Sequence, residues 1–346
     1  MRVALFSAKK YERDLLDTLN AGHRHELVYF DTLLEAKTVS LAAGFPAVSV
    51  FTNDIVDADV LGRLAAGGTR LVATRSTGFN QIDVCSAQRL GVRVVRVTDY
   101  SPDSVAEFAV GLLLALNRKI CRAYNRTREG NFELDGLLGF DLAGRTVGVI
   151  GTGKIGCVFA RIMAGFGCTL IAHDVQHSPE FEALRGRYAG IEALLAEADV
   201  ISLHCPLTPQ TRHIIDARSL AHIKRGALLI NTSRGGLIDT EAAIEALKSG
   251  QIGGLAIDVY EQEATLFFRD LSSTVISDDV IQRLVSFPNV IVTGHQAFFT
   301  REALATILET TLVSLSDFAA GRPLLNEIES GGEGHGSLVS SGSPFL

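Results

Sequence analysis

Val147 to Gly156 reads VGVIGTGKIG, a short β-branched run followed by glycines at 151, 153 and 156, and the chain continues with helical spacing through CVFARIMAGFG. A bare G-x-G-x-x-G is a weak signal, because glycine-rich turns occur wherever the backbone bends sharply. The surroundings strengthen it here. The next apolar run, TLIAHD, ends in Asp174, about the distance past the glycines at which a carboxylate meets the adenosine ribose of a dinucleotide. In such a turn the glycines let the backbone approach a pyrophosphate, and the helix that opens at Lys154 and Ile155 supplies N–H donors. The acid accepts hydrogen bonds from the ribose diol. Asp174 also repels a 2'-phosphate, so NAD is expected in preference to NADP.

That motif demands parallel strands joined by helices, and the rest of the chain agrees. RVALF, ELVYF, AVSVF, RLVATR and RVVRV alternate with helix-compatible stretches over the first hundred residues. SPDSVAEFAVGLLLALNRKI then reads as a long helix, with Ser101 placed to cap it and Pro102 at its first position. A second series runs through RTVGVI, TLIAHD, ADVISLHC, GALLINTS, GGLAIDVY and NVIVTGH, almost continuously apolar as strands covered on both faces should be. After Thr300, REALATILETTLVSLSDFAAG reads as another long helix, crossing back to the first unit. The Gly- and Ser-rich residues 331–346 are expected to be a disordered tail.

Bulk properties narrow the partners. With 346 residues and 47% apolar content the chain has material for two domains. The formal charge is -7 and the basic residues are scattered, which argues against a nucleic-acid surface. No apolar stretch approaches a membrane span, and VAEFAVGLLLALN contains Glu107 and reads as a buried helix. Cys85, Cys121, Cys157, Cys168 and Cys205 are odd in number, widely spaced and without a CxxC pair. They fit a reduced, cytoplasmic protein with neither a disulfide framework nor a metal site. A small molecule is the expected partner.

A nicotinamide lying along the carboxyl ends of the second strand series would meet the residues that follow those strands. Arg234 follows ALLINTS, Glu263 follows LAIDVY and His295 follows NVIVT. Taken singly, each has an ordinary reading: a surface charge, one acid among several, a packed ring. Together they form a set: a guanidinium that grips a carboxylate with two hydrogen bonds, an imidazole that exchanges a proton near neutral pH, and an acid that favours its protonated form. Reduction of a 2-oxo acid is the chemistry that needs these groups.

The stretches GTGKIG with Asp174, LHCPLTPQT, NTSRGGLID, AIDVYEQE and GHQAFFT resemble the D-isomer-specific 2-hydroxyacid dehydrogenases, most closely their D-lactate-forming branch. The likeness runs from STGFNQID to LLNEI and includes the LFFRD and VISDDVIQRL segments; the first seventy residues match more loosely. It implies a Rossmann-type coenzyme domain, 101–298, inserted into a flavodoxin-like substrate domain made of 1–100 and 299–330. By the resemblance Arg234 holds the substrate carboxylate, His295 is the acid in pyruvate reduction and the base in lactate oxidation, and Glu263 orients and tunes it. Asp258 would face the nicotinamide carboxamide, while His204, Cys205 and Pro206, with Thr232 and Ser233, line the cofactor cleft. Thr77 and Gly78 would offer backbone N–H groups to the substrate carboxylate. Phe51, Tyr100 and Phe298 would enclose its side chain, favouring a methyl group. A homodimer or homotetramer is implied. Two alternatives stand beside this reading: a dehydrogenase of phenylpyruvate or branched 2-oxo acids, and an NAD-sensing corepressor that binds other proteins.

Overall fold

Twelve parallel strands build two sheets in the computed structural model, which describes residues 1–98 and 100–328. The expected tail lies outside the described residues. Contacts divide the chain into two units, Pro102–Phe299 and a discontinuous one comprising Met1–Ser101 with the chain from Thr300 onward. Each limit falls one residue beyond the sequence-based expectation.

In the discontinuous unit the strands are β1 (Arg2–Leu5), β2 (Glu26–Tyr29), β3 (Ala47–Val50), β4 (Leu71–Thr74) and β5 (Arg93–Val95). Their order, β2-β1-β3-β4-β5, is the flavodoxin-like one, with its switch point between β1 and β3. One face is filled by Phe6, Val48, Val50, Leu61, Leu64, Val72 and Val94. On the other, the returning helix Arg301–Ala319 packs against helix Lys10–His23. His23 Nδ1 and His25 Nε2 lie 2.8 and 3.0 Å from the Ser316 hydroxyl of the returning helix.

The inserted unit contains β6 (Thr146–Ile150), β7 (Thr169–His173), β8 (Arg187–Tyr188), β9 (Val200–Leu203), β10 (Ala227–Asn231), β11 (Ile252–Ile257) and β12 (Val290–Val292). Their order, β12-β11-β10-β9-β6-β7-β8, is a Rossmann sheet extended by one strand. The continuous apolar runs are explained by its two cores. Val147, Val149, Leu228 and Ile230 face one layer with Phe159, Met163, Leu113 and Leu116. Ile150, Ile201, Leu203 and Leu229 face the other. Every second residue therefore serves a different core, which keeps both sets largely apolar. The chain order reverses between β6 and β9, which opens a crevice at their carboxyl ends. No helix among the described residues is long and apolar enough to cross a membrane.

Candidate active site

The turn after β6 is shaped by two glycines. Gly151 has φ +95°, and a Cβ on Gly156 would lie 2.0 Å from the Gly151 carbonyl oxygen. Only bare backbone fits there, so the turn packs directly on the start of the following helix and leaves its backbone N–H groups uncovered by side chains. Helix Lys154–Gly165 starts at this turn with Gly153 as its cap, so no side-chain acceptor covers its N-terminus. Lys154 is exposed and Ile155 half-buried in its first turn. Asp174, directly after β7, accepts hydrogen bonds from the Thr152 N–H at 2.5 Å and the Gln176 N–H at 3.2 Å.

The loops after β9 and β10 form the other wall. His204 is packed on Phe159, ring centroids 4.9 Å apart, and its Nε2 lies 2.9 Å from Ser202 Oγ. Burial pulls the His204 pKa down to about 3, so its ring is neutral. Burial likewise pushes the Cys205 thiol up to about 11, and its carbonyl accepts from Ser233 Oγ at 2.7 Å. Pro206 is exposed beside them. The Thr232 hydroxyl is buried without a hydrogen-bond partner, an unusual state that a bound polar group would relieve. The glycine turn, the uncapped helix start, Asp174 and this orphaned hydroxyl together fit a dinucleotide.

His295, Glu263 and Arg234 converge in the same unit. His295 Nδ1 lies 2.9 Å from Glu263 Oε1, and Glu263 Oε2 accepts the Tyr260 N–H at 3.0 Å. Burial alone would raise the Glu263 pKa, but the hydrogen bond and charge of His295, the Tyr260 N–H and the charge of Arg234 outweigh it and hold it below the ordinary glutamate value. Arg234 follows β10, where its carbonyl accepts from Asn231 and its Nη1 donates to the Ser233 carbonyl.

One contributor escaped the sequence reading, and another takes a different place from the one expected. The Phe268 ring lies 5.8 Å from that of His295, and LFF in a polar stretch was the only hint of it. Asp258, expected to face the nicotinamide, is fully buried and anchors the histidine loop. Its carboxylate accepts from Thr293 Oγ1 and the N–H groups of Gln296 and Ala297, and its carbonyl accepts the His295 N–H at 2.7 Å. Burial pushes the Asp258 carboxyl up, partly offset by these donors.

Phe51, Thr77, Gly78 and Tyr100 belong to the discontinuous unit, and Phe298 to the inserted one. Phe51, following β3, is 6% exposed; its N–H donates to Asp54 Oδ2 at 2.6 Å and the Arg75 guanidinium sits 5.8 Å over its ring. Asp54 is itself buried and accepts from Ser7 Oγ and the Leu34 N–H, both at 2.7 Å. Thr77 Oγ1 is buried without a hydrogen-bond partner, and the Gly78 carbonyl accepts from Ser76. Tyr100 is half-buried, and Phe298 meets Phe299 edge-on at 6.0 Å.

Residues 110–297 match the model of the D-isomer-specific 2-hydroxyacid dehydrogenase NAD-binding domain. The chain is 52% identical over 321 residues to 2-hydroxyacid dehydrogenase homolog 1 of Schizosaccharomyces pombe, covering 92% of this chain and 97% of the other. Among solved structures it is similar to apo D-lactate dehydrogenase from Escherichia coli, with 46% identity, TM-score 0.88 and coverage of 95% of this chain and 100% of that one. The pyruvate reductase of Chlamydomonas reinhardtii gives 43% identity and TM-score 0.90, covering 94% and 98% respectively.

Proposed function

Because the chain belongs to the D-isomer-specific 2-hydroxyacid dehydrogenases, a family of NAD-binding oxidoreductases, we propose that it interconverts pyruvate and D-lactate. The observation that carries this reading is the His295–Glu263 pair at 2.9 Å, with the charge of Arg234 acting on the same carboxylate. The names of the relatives at E. coli and C. reinhardtii support pyruvate as the oxo acid.

Gly151, Gly153 and Gly156 would seat the pyrophosphate, Asp174 the adenosine ribose, and the loops carrying His204 to Pro206 and Thr232 to Ser233 the remainder of the cofactor. Bound NADH supplies the hydride for C2. Arg234 grips the substrate carboxylate with its guanidinium fork and draws electron density from the carbonyl. Protonated His295 gives its Nε2 proton to the developing alkoxide, while Glu263 holds Nδ1 and stabilises the imidazolium beforehand. Reversal makes His295 the base that removes the lactate hydroxyl proton. Pyruvate, NADH and one proton thus become D-lactate and NAD. Thr77 and Gly78 would offer N–H donors to the substrate carboxylate, and Phe51, Tyr100 and Phe298 are the aromatic residues we assign to its side chain. The inserted unit would serve as coenzyme domain and the other as substrate domain.

Five free cysteines support a cytoplasmic setting, where reoxidation of NADH by pyruvate serves fermentation. A homodimer or homotetramer is supported by the exposed apolar side chains of Phe132, Leu134 and Leu138 near the exposed helix Ile120–Arg128.

The test is NADH oxidation with pyruvate, phenylpyruvate and 2-oxoisocaproate in parallel, with NADPH as control cofactor. Fastest turnover of pyruvate with NADH is expected. Preference for a larger oxo acid would overturn the substrate, and no turnover of any would overturn the catalytic reading.

A further inference from the structure

Beyond the residues that would touch the cofactor, we infer that Tyr188, on the two-residue edge strand β8, is a positioning residue that locks Asp174 against a 2'-phosphate. The inference rests on the reading of Asp174 as the ribose-binding acid.

Ala172 of β7 pairs with Tyr188, which brings the phenol hydroxyl back toward the glycine turn. That hydroxyl accepts the Ser178 N–H at 2.7 Å and lies 2.8 Å from Thr152 Oγ1. Thr152 Oγ1 in turn lies 3.1 Å from Asp174 Oδ2, the oxygen that also takes the Thr152 N–H. Counting hydrogens gives this chain a direction. Each hydroxyl has one proton to donate. If Thr152 donated to Tyr188, the tyrosine proton would point at Ser178 N–H, itself a donor, and Asp174 would lose its hydroxyl contact. In the other direction, Ser178 N–H donates to Tyr188, Tyr188 to Thr152, and Thr152 to Asp174 Oδ2 at 3.1 Å, nearer than the Gln176 carbonyl at 3.5 Å that the same hydroxyl also reaches, and every donor is used.

The tyrosine ring is held as well. His177 stacks on it with centroids 3.8 Å apart and planes within 5°, and Phe181 packs at 5.2 Å. The other Asp174 oxygen is fixed by the Gln176 N–H. A carboxylate pinned on both oxygens cannot swing out to admit a phosphate dianion. Its negative charge stays where a 2'-phosphate would lie, and its remaining lone pairs are aimed in advance at a diol.

The experiment is calorimetric titration of the full-length protein with NADH and NADPH, without oxo acid, for the parent and for Tyr188→Phe, Thr152→Val, Thr152→Ser and Asp174→Ala. Tyr188→Phe keeps the ring stack and removes one hydrogen bond. It should weaken NADH binding about 2- to 10-fold and narrow the gap between NADH and NADPH. Thr152→Val should do the same, and Thr152→Ser should restore parental values. Asp174→Ala should abolish the preference. Should Asp174→Ala do so while Tyr188→Phe leaves both affinities unchanged, or changes only the melting temperature, the positioning role is overturned. If Asp174→Ala leaves the preference intact, the ribose-binding reading itself fails, and the inference with it.

Discussion

His295 holds a left-handed backbone conformation, φ +55°, which costs a non-glycine residue about 1–3 kcal/mol. The surrounding hydrogen bonds donated to the buried Asp258 by His295, Gln296 and Ala297 offset that cost and fix where the imidazole points. His295→Gln should therefore lower kcat about 10²- to 10⁴-fold while NADH binding, measured by titration, persists. Arg234→Lys should raise the KM for pyruvate as well as lower kcat, because an ammonium cannot reproduce the fork; steady-state kinetics separates the two. Glu263 also sets a pH dependence. Its folded-state pKa is depressed, so its stabilising contribution is complete above the ordinary glutamate value and is lost as pH falls through the lower folded value. The difference in melting temperature between the parent and Glu263→Gln should accordingly shrink as the pH falls below the ordinary glutamate value. At this scale the positions of Arg234, Glu263 and His295 after successive strands were legible in the sequence, and the structure pairs His295 with Glu263. It was silent on Asp54, Tyr188 and Phe268, because their neighbours are remote along the chain or ordinary in type.

Strands were legible for a related reason. In β6, β9 and β10 both faces are buried, so the sequence carries an unbroken apolar signal. β8 offers two residues, Arg187 and Tyr188, with no run to recognise, and it exists through its register with β7. The long helices announced themselves through their caps and length: Pro102 opens Pro102–Asn117, and the Thr300 hydroxyl accepts the Ala303 N–H at the start of Arg301–Ala319. Within helix Lys154–Gly165, Phe159 is fully buried and carries His204 on its ring. Phe159→Ala should destabilise the inserted unit by about 3–5 kcal/mol in denaturant unfolding followed by a probe in that unit.

The molecule as a whole has two sheets whose orders, flavodoxin-like and Rossmann, follow from which strands the helical crossovers can join. The two-series pattern and the returning helix were legible in the sequence; the lateral order of the strands was not, since it depends on pairing rather than composition. Exposed Phe132, Leu134 and Leu138 set a prediction at this scale. On the oligomer proposed above, with these side chains at its interface, Phe132→Asp combined with Leu138→Asp should shift the particle to a smaller species in analytical ultracentrifugation, because charge is poorly tolerated in an apolar contact.

The discontinuous unit also orders events during synthesis. Pro102–Phe299 has all its strands once Phe299 is made, whereas the sheet begun at Arg2 waits for Arg301–Ala319 to cover helix Lys10–His23. The middle of the chain can thus finish folding before its beginning does. A stop codon shortly after residue 300 would leave the returning helix unmade, and the damage would fall on the oldest part of the nascent chain.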